Sequence, residues 1–249
     1  MPRLTALLLA GILFALPVNA KTERETLIET FARLSASVGA LYALEQGGTM
    51  RFLCSATAVA REGNKTVILT AGHCVQKGVS YLITFGGNQF HPLSVWQIPH
   101  YEIGKAVRAY GEPETDMALF LMNNGDMPII ELDDGSEMVA GEKLAMVGFP
   151  LGIAKISYEG TVAGHMNRPG ANNHGYMLMQ IFGAPGSSGS AVVSVKTGKV
   201  VAILVAGKKG NTGLPIIFGT PISYKKHLKP VPGSLNSEKT TEAPSTSPG

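Results

Sequence analysis

Three side chains that could together cleave an acyl bond occur along the chain in the order histidine, aspartate and serine. His73 lies in the segment 66–74, in which a run of β-branched and apolar residues leads into a small-residue turn. Asp116 precedes a short apolar run, and Ser188 lies in the Gly- and Ser-rich segment 185–191. A serine hydroxyl attacks only when a base removes its proton, and a carboxylate can orient that base. The order and setting of these residues therefore indicate a nucleophile, a general base and an orienting acid.

The residues around these three positions resemble the motifs of the trypsin-like serine proteases. His73 lies in Thr-Ala-Gly-His-Cys, Asp116 is followed by Met-Ala-Leu-Phe-Leu, and Ser188 lies in Gly-Ser-Ser-Gly-Ser-Ala. Within that family the chain resembles the HtrA-type and bacterial glutamyl-endopeptidase-like branches, and the resemblance covers the protease domain only. It implies a serine endopeptidase that acts on proteins or peptides through an acyl-enzyme and needs no cofactor.

The resemblance also assigns roles within the serine segment. The register with Gly186 and Gly189 selects Ser188 as the nucleophile rather than Ser187 or Ser190. A glycine at position 186 permits the backbone twist that would direct its own N–H and that of Ser188 towards the developing oxyanion. Ser187 stands where pancreatic-type enzymes have the aspartate that receives a newly cleaved N-terminus, so that zymogen switch is not available here.

The same resemblance places the specificity pocket just ahead of the nucleophile and along the strand after it. The predicted wall consists of five uncharged residues, and Gly207 would pair with the substrate through its backbone; the wall residues are Phe182, Gly183, Ala184, Leu204 and Val205. A buried basic side chain without a partner is costly, so we expect cleavage after small or medium aliphatic residues rather than after Arg or Lys. Lys208 and Lys209 near the rim make acidic residues the second choice. Val205 also replaces a serine of the digestive relatives, which removes one hydrogen bond to the triad aspartate.

The sequence contains two cysteines, Cys54 and Cys74, of which the second directly follows His73. In an exported protein, two cysteines are expected to form one disulfide. A zinc site would have to use both cysteines and His73, and adjacent His and Cys ligands match no common zinc pattern. In the trypsin-like family the cysteine after the histidine pairs with one on the preceding strand. We therefore expect a Cys54–Cys74 disulfide and no bound metal.

The N-terminus has the pattern of a secretory signal peptide at residues 1–20. Arg3 precedes the apolar segment 4–18, and small residues lead to the expected cleavage position after Ala20. Pro17 interrupts the apolar segment, which is also shorter than the about 20 residues that span a bilayer; an uncleaved N-terminal anchor is the alternative. We expect export to the periplasm or the extracellular space, without stable membrane insertion after cleavage. The net charge of +3 includes no clustered basic block, which argues against a nucleic-acid partner.

Short β-type runs separated by Gly, Pro and Asn follow from residue 38 onward, and no long helical segments lie between them. This pattern predicts an all-β antiparallel barrel or sandwich. The family resemblance narrows the prediction to two antiparallel six-stranded barrels with the active site between them. The predicted strands cover residues 53–60, 67–70, 81–85, 117–122, 143–148, 156–163, 177–182, 191–195, 200–206 and 216–219.

The chain is predicted to divide into further segments after the signal peptide. Residues 21–36 form an N-terminal extension that is either helical or loosely ordered. Residues 37–229 form the trypsin-like serine protease domain, which a short C-terminal helix at 223–228 would close. Residues 230–249 are rich in Pro, Ser and Thr and have little apolar surface to bury, so they are predicted to be a disordered tail.

Two other functions fit parts of this pattern. An α/β-hydrolase would require Gly-x-Ser-x-Gly followed by an acid and a histidine, whereas Ser190 replaces the second glycine and His227 alone follows Ser188. A protease-fold binding protein without activity would usually lack a member of the triad, and all three positions are filled here. The catalytically silent protein stays open as an alternative, because loss of oxyanion geometry would not be visible in the sequence.

Overall fold

The computed structural model describes residues 23–76, 78–96, 116–133, 138–166, 175–209 and 215–222. Within these residues the chain forms one α-helix and twelve β-strands, and the strands close into two antiparallel barrels of six strands each. The predicted all-β double barrel is therefore confirmed. The predicted signal peptide (1–20), closing helix (223–228) and tail (230–249) lie outside the described residues.

The first barrel is built from short apolar strands that pair in the order β1-β2-β3-β6-β5-β4, with β1 and β4 closing the ring. Its strands are β1 (Val38–Leu44), β2 (Met50–Glu62), β3 (Lys65–Thr70), β4 (Ser80–Thr84), β5 (His91–Trp96) and β6 (Ala118–Met122). All five residues of β6 are buried. Since successive side chains of a strand point to opposite faces, both faces of β6 are covered. Two of these strands, β1 and β5, lie outside the predicted runs.

The second barrel pairs its strands in the order β10-β11-β12-β9-β8-β7, with β10 and β7 closing the ring. Its strands are β7 (Lys143–Gly148), β8 (Ile156–Met166), β9 (Tyr176–Gln180), β10 (Ala191–Ser194), β11 (Val200–Lys209) and β12 (Pro215–Pro221). Methionine is a prominent part of its core, where a flexible thioether side chain can fill irregular space. The buried methionines of this core are Met138, Met146, Met177 and Met179.

The N-terminal extension forms the helix α1 (Glu23–Ser37), which packs mainly against β7 of the second barrel. Glu23 and Glu25 lie in its first turn, where negative charge favours the helix dipole. Leu34 is fully buried, and Nη2 of Arg33 donates to the carbonyl of Gly198 at 3.4 Å. The extension is therefore a docked helix. In the described ranges, no helix is both long and apolar enough to cross a membrane.

Candidate active site

The pairing of β3 with β6 brings His73 and Asp116 together. β3 ends at Thr70 and is followed by a short 3₁₀ turn (Gly72–Cys74), while Asp116 lies two residues before Ala118, the partner of Thr70 on β6. Nδ1 of His73 is 2.8 Å from Oδ2 of Asp116, and the backbone N–H of His73 donates to Oδ1 at 2.8 Å. One carboxylate therefore holds both the ring and the backbone of His73.

This contact prepares the His73 ring for proton transfer. Asp116 is buried, whereas the side chain of His73 is 35% exposed. A carboxylate beside Nδ1 accepts the N–H of that nitrogen, so the neutral ring keeps Nε2 as a proton acceptor. The pair therefore combines an imidazole ring that solvent can reach with a carboxylate that is shielded from solvent.

The predicted disulfide is present between Cys54 on β2 and Cys74 at the end of the His73 turn, with the two Cα atoms 6.3 Å apart. It ties that turn covalently to the neighbouring strand, and both cysteines are buried. The two sulfur atoms and a ring nitrogen of His73 lie within 4.8 Å of one another. The sulfur atoms are bonded to each other, however, and are not the thiolates that a zinc ion binds.

The turn that carries Ser188 packs against the first barrel. The backbone N–H of Ser55 on β2 donates to the carbonyl of Ser188 at 2.9 Å. Gly189 has a φ of 81°, and a Cβ at this position would lie 2.1 Å from the carbonyl oxygen of Ser55 and 2.2 Å from Oγ1 of Thr70. Only glycine fits this contact and this backbone conformation. Thr70 is the last residue of β3, and the turn that carries His73 follows directly. The turn that carries Ser188 therefore packs next to the turn that carries His73.

The backbone ahead of Ser188 leaves two N–H groups without a backbone acceptor in the described part of the chain. Gly186 has a φ of 91°, a conformation that favours glycine. The N–H of Ser187 donates to the carbonyl of Ala184 at 2.9 Å, and the N–H of Ser190 donates to that of Ser187 at 3.1 Å, which forms two consecutive turns. Within the described residues, the N–H groups of Gly186 and Ser188 donate to no backbone carbonyl. Both are therefore free to donate to a substrate oxygen.

The structure joins two of the three predicted triad members directly, and the turn that carries the third packs against Ser55 and Thr70 of the first barrel. Asp116 and His73 are hydrogen-bonded through side chains. Among the described residues, no hydrogen bond joins the hydroxyl of Ser188 to His73. Hydrogen bonds between a nucleophile and its base are commonly long in the absence of substrate.

Ile217 of β12 packs beside three of the residues predicted to bind substrate: Gly183, Leu204 and Gly207. Ile217 itself is not among the predicted residues. A Cβ at Gly183 would lie 2.8 Å from Cδ1 of Ile217 and 3.4 Å from Cδ1 of Leu204. A Cβ at Gly207 would lie 3.0 Å from the same methyl carbon of Ile217. The buried Ile217 side chain thus occupies the space between the two glycines. No motif marks it in the sequence, because only the pairing of β12 with β11 and β9 brings it there.

The other predicted pocket residues differ in exposure. Val205 is buried beside Leu204 on β11. Phe182 is 51% exposed, and its ring stacks on that of Tyr158 with centroids 4.9 Å apart. Phe182 therefore lies at the surface, stacked on a half-buried tyrosine. The side chains of Lys208 and Lys209, predicted at the rim, lie outside the described part of the structure.

Known proteins share this architecture. A family model described as the trypsin-like peptidase domain matches residues 54–203. The HtrA-type protease AlgW, solved with a tripeptide, superposes with a TM-score of 0.60 at 20% identity, over 84% of this chain and 62% of that chain. AlgW solved with a decapeptide gives a TM-score of 0.60 at 18% identity, over 84% and 66%. The serine endoprotease from Yersinia pestis gives 0.60 at 16% identity, over 83% and 65%.

These structural similarities show a shared fold at low sequence identity. The present chain spans less than two thirds of the length of each of these solved chains. No curated protein sequence gives a significant match.

Proposed function

Because the chain belongs to the trypsin-like peptidase family, we propose that it is a serine endopeptidase in which Ser188 is the nucleophile, His73 the general base and Asp116 the orienting acid. The observation that carries this proposal is the double contact of the Asp116 carboxylate, at 2.8 Å to both Nδ1 and the backbone N–H of His73. A buried carboxylate is costly unless it is paired, and this pairing orients the ring for proton transfer.

In the proposed reaction, Nε2 of His73 takes the proton of the Ser188 hydroxyl as that oxygen attacks the scissile carbonyl carbon. The carbonyl oxygen becomes an oxyanion that accepts hydrogen bonds from the N–H groups of Gly186 and Ser188. Asp116 stabilises the imidazolium, which then gives its proton to the leaving amine and leaves an acyl-enzyme. Water, deprotonated by His73, hydrolyses the ester and restores the serine.

We propose that the substrates are proteins or peptides that present a small aliphatic residue before the scissile bond. AlgW has been solved with a tripeptide and with a decapeptide, which supports peptide binding by a chain of this fold. In the present chain, Ile217 narrows the space between Gly183 and Gly207, and Leu204 is buried beside it. This apolar setting offers no partner for a charged side chain and leaves little room for a large one.

We also propose that the protein is exported to the periplasm or the extracellular space. The signal peptide predicted at residues 1–20 supports export, and so does the Cys54–Cys74 disulfide, because disulfides persist in oxidising compartments. Mass spectrometry of the mature N-terminus tests this proposal. We expect a chain that begins at Lys21, whereas a mature protein that keeps residues 1–20 would contradict a cleaved signal.

Labelling with a fluorophosphonate probe tests the catalytic proposal. Such a probe reacts with a serine that a neighbouring base activates, so we expect labelling of Ser188 in the wild type and none in Ser188→Ala or His73→Ala. Ser190→Ala is the matched control, because Ser190 is fully buried two residues beyond the nucleophile. Folded wild-type protein that takes up no label would favour the catalytically silent binding protein. Label found on Ser187 or Ser190 would reassign the nucleophile.

A further inference from the structure

Ser55 on β2 is fully buried, and its polar atoms bond to three separate segments of the chain. Its hydroxyl donates to the carbonyl of Gly186 at 2.9 Å and accepts the backbone N–H of Phe149 at 2.9 Å. Its backbone N–H donates to the carbonyl of Ser188 at 2.9 Å, and its carbonyl accepts the hydroxyl of Thr70 at 2.7 Å. Two of its four partners therefore belong to the turn that would bind the oxyanion.

The hydroxyl of Ser55 also bonds to a loop that holds the same turn from the other side. The loop begins at Phe149, whose N–H is bound by Ser55, and two residues later the N–H of Leu151 donates to the carbonyl of Pro185 at 2.6 Å. Leu151 has a φ of 57°, which a non-glycine residue adopts only when its surroundings hold it there. One hydroxyl thus contacts Gly186 directly and anchors the loop that contacts Pro185.

Fixing the carbonyl of Pro185 fixes the direction of the Gly186 N–H that would bind the oxyanion, and fixing the carbonyl of Gly186 holds the peptide plane on its other side. A peptide group is planar and trans, so its C=O and N–H point in opposite directions. When Leu151 holds the carbonyl of Pro185, the N–H of Gly186 must point away from Leu151. When Ser55 holds the carbonyl of Gly186, the next peptide plane is fixed as well. Rotation of either plane would break one of these hydrogen bonds.

Few residues outside the turn 185–188 form hydrogen bonds to it. In the described structure, the hydrogen bonds that reach residues 185–188 from outside the turn come from Ser55 and Leu151. Ser187, directly before the nucleophile, bonds within the turn, where its hydroxyl accepts the N–H of Ala184 at 3.4 Å. The turn therefore depends on the first barrel and on the 149–152 loop for its conformation.

We propose that Ser55 is a positioning residue of the oxyanion site. Its hydroxyl fixes the peptide plane that follows Gly186. The same hydroxyl anchors Phe149, the start of the loop in which Leu151 fixes the plane that carries the Gly186 N–H, so the site is formed before substrate binds. Ser55 belongs to the first barrel and Gly186 to the second, so the contact couples oxyanion geometry to the docking of the two barrels. The inference rests on the proposed peptidase function, because a silent binding protein does not use an oxyanion site.

The test compares Ser55→Ala with Thr57→Val. Thr57 lies two residues further along β2, is fully buried, and accepts the N–H of Ala191 from the second barrel at 3.3 Å through its hydroxyl. Each substitution removes one buried hydroxyl between the barrels, so a general loss of stability is common to both. Only Ser55→Ala removes a hydrogen bond to residues 185–188.

We expect Ser55→Ala to lower kcat on a chromogenic peptide by about tenfold to a hundredfold with KM changed by less than about threefold, below the roughly 10²–10³-fold loss from removing an oxyanion donor itself. The inhibition constant of a peptide aldehyde, whose adduct with Ser188 places an oxyanion in the site, should rise by a similar factor because the aldehyde mimics the transition state. Thr57→Val should keep both constants within about threefold of the wild type, since its side chain does not act on the transition state. Rates are expressed per folded protein, measured by circular dichroism.

Equal losses of kcat in the two variants, or a raised KM with unchanged kcat in Ser55→Ala, would overturn the positioning role. An unfolded Ser55→Ala beside a folded Thr57→Val would also overturn it, because the hydroxyl would then be needed for folding rather than for orientation. A folded wild type that neither takes up fluorophosphonate nor cleaves peptides would refute the peptidase proposal, and this inference with it. Activity of the wild type therefore shows whether a negative result concerns the role of Ser55 alone or the peptidase proposal as a whole.

Discussion

The two barrels position their parts of the active site by different means. In the first barrel a side chain does the positioning, because both carboxylate oxygens of Asp116 are bonded to His73. A disulfide between Cys54 and Cys74 fixes the same turn to β2. All of these residues belong to the first barrel, so the described hydrogen bonds that pair the proposed base with its acid lie within one half of the molecule.

In the second barrel the backbone does the positioning. Ser188 lies in a turn that depends on two glycines with positive φ, Gly186 and Gly189. Ser55 and Thr70, which hold or contact this turn, both belong to the first barrel. The turn that carries the proposed nucleophile and oxyanion site therefore has its full set of contacts only when the barrels are docked.

This difference shows which half of the site is sensitive to the interface between the barrels. A change that loosens their docking should disturb the oxyanion turn before it disturbs the hydrogen bonds between His73 and Asp116. If the proposed roles hold, we expect such a change to act on the reaction through Ser188 rather than through His73. Substitutions in one barrel, in the other barrel, or at the contact between them should therefore have different effects.

Ser188→Ala and His73→Ala remove the reacting group of one barrel each and have the largest expected effect. Because nucleophile and base act as a unit, each substitution should lower kcat by roughly 10⁶-fold, and the double substitution should add little. Ser188 is partly exposed, so Ser188→Ala should keep the melting temperature close to that of the wild type. His73→Ala should lower it, because the buried Asp116 carboxylate loses its side-chain partner. Peptide hydrolysis and thermal melts of the purified variants measure both quantities. Near-normal turnover by Ser188→Ala would contradict the assignment.

Replacing both cysteines tests the covalent support of the first barrel. The disulfide closes a loop across a sequence separation of 20 residues. We expect Cys54→Ala with Cys74→Ala to lower the free energy of unfolding by about 3 kcal/mol, because the unfolded chain is no longer constrained. Urea denaturation of the double variant measures the change, and wild type in a reducing agent provides an independent comparison. An unchanged midpoint would mean that the disulfide contributes nothing to this barrel.

The local part of the site could be predicted from the sequence, and the long-range part could not. His73 and Ser188 stand in short motifs in which neighbouring glycines and a cysteine reveal the turn. Ser55 and Gly186 are 131 residues apart in the sequence, and neither Ser55 nor Ile217 stands in a motif. Their roles depend on which strands pair and how the barrels dock, which a local pattern does not contain.

The sequence pattern does not predict β1 and β5, for a different reason in each strand. β1 is buried along most of its length and lacks the alternation of polar and apolar residues by which a half-exposed strand is identified. β5 contains Pro92, and proline within a run argues against a strand because it cannot donate a ladder hydrogen bond. In the structure Pro92 nevertheless pairs with Leu82 of β4. Closure of the barrel thus outweighs the local signal at both strands.

Ile217→Val tests the proposed specificity pocket in the second barrel, because it removes the methyl group that lies nearest to both Gly183 and Gly207. One methylene in an apolar pocket changes selectivity by roughly 10- to 200-fold, so we expect the ratio of kcat/KM for leucine over alanine before the scissile bond to rise about tenfold. Ile216→Val is the matched control, since Ile216 is the preceding residue of the same strand and is 48% exposed. A peptide series that differs only at this position measures the ratio. Equal changes in the two variants would show that Ile217 does not limit the pocket.

Lys155 joins the barrels through α1 and gives the smallest expected effect. Its ammonium donates to the carbonyl of Ser35 in α1 at 2.5 Å and to that of Phe85, just after β4, at 2.8 Å. Lys155→Met should lower the free energy of unfolding by about 1 kcal/mol, because the lost hydrogen bonds are partly offset by no longer burying a charge. Lys143→Met is the matched control, since Lys143 on β7 forms an exposed ion pair with Glu23 of the same helix.

The direction of the pH dependence separates the two lysines. Burial lowers the pKa of Lys155, so the unfolded chain holds that proton more tightly than the folded protein does. Stability from Lys155 should therefore rise with pH up to the ordinary lysine pKa of about 10.4. The hydrogen bond and charge of Glu23 raise the pKa of Lys143. The stability that Lys143 contributes is therefore present at neutral pH and is lost as pH rises beyond the ordinary lysine pKa.

Urea denaturation from about pH 7 to about pH 11 tests both directions. The stability difference between wild type and Lys155→Met should widen, while that between wild type and Lys143→Met should hold and then narrow. A narrowing difference for Lys155→Met would mean that the carbonyls of Ser35 and Phe85 favour the charged ammonium more strongly than burial opposes it.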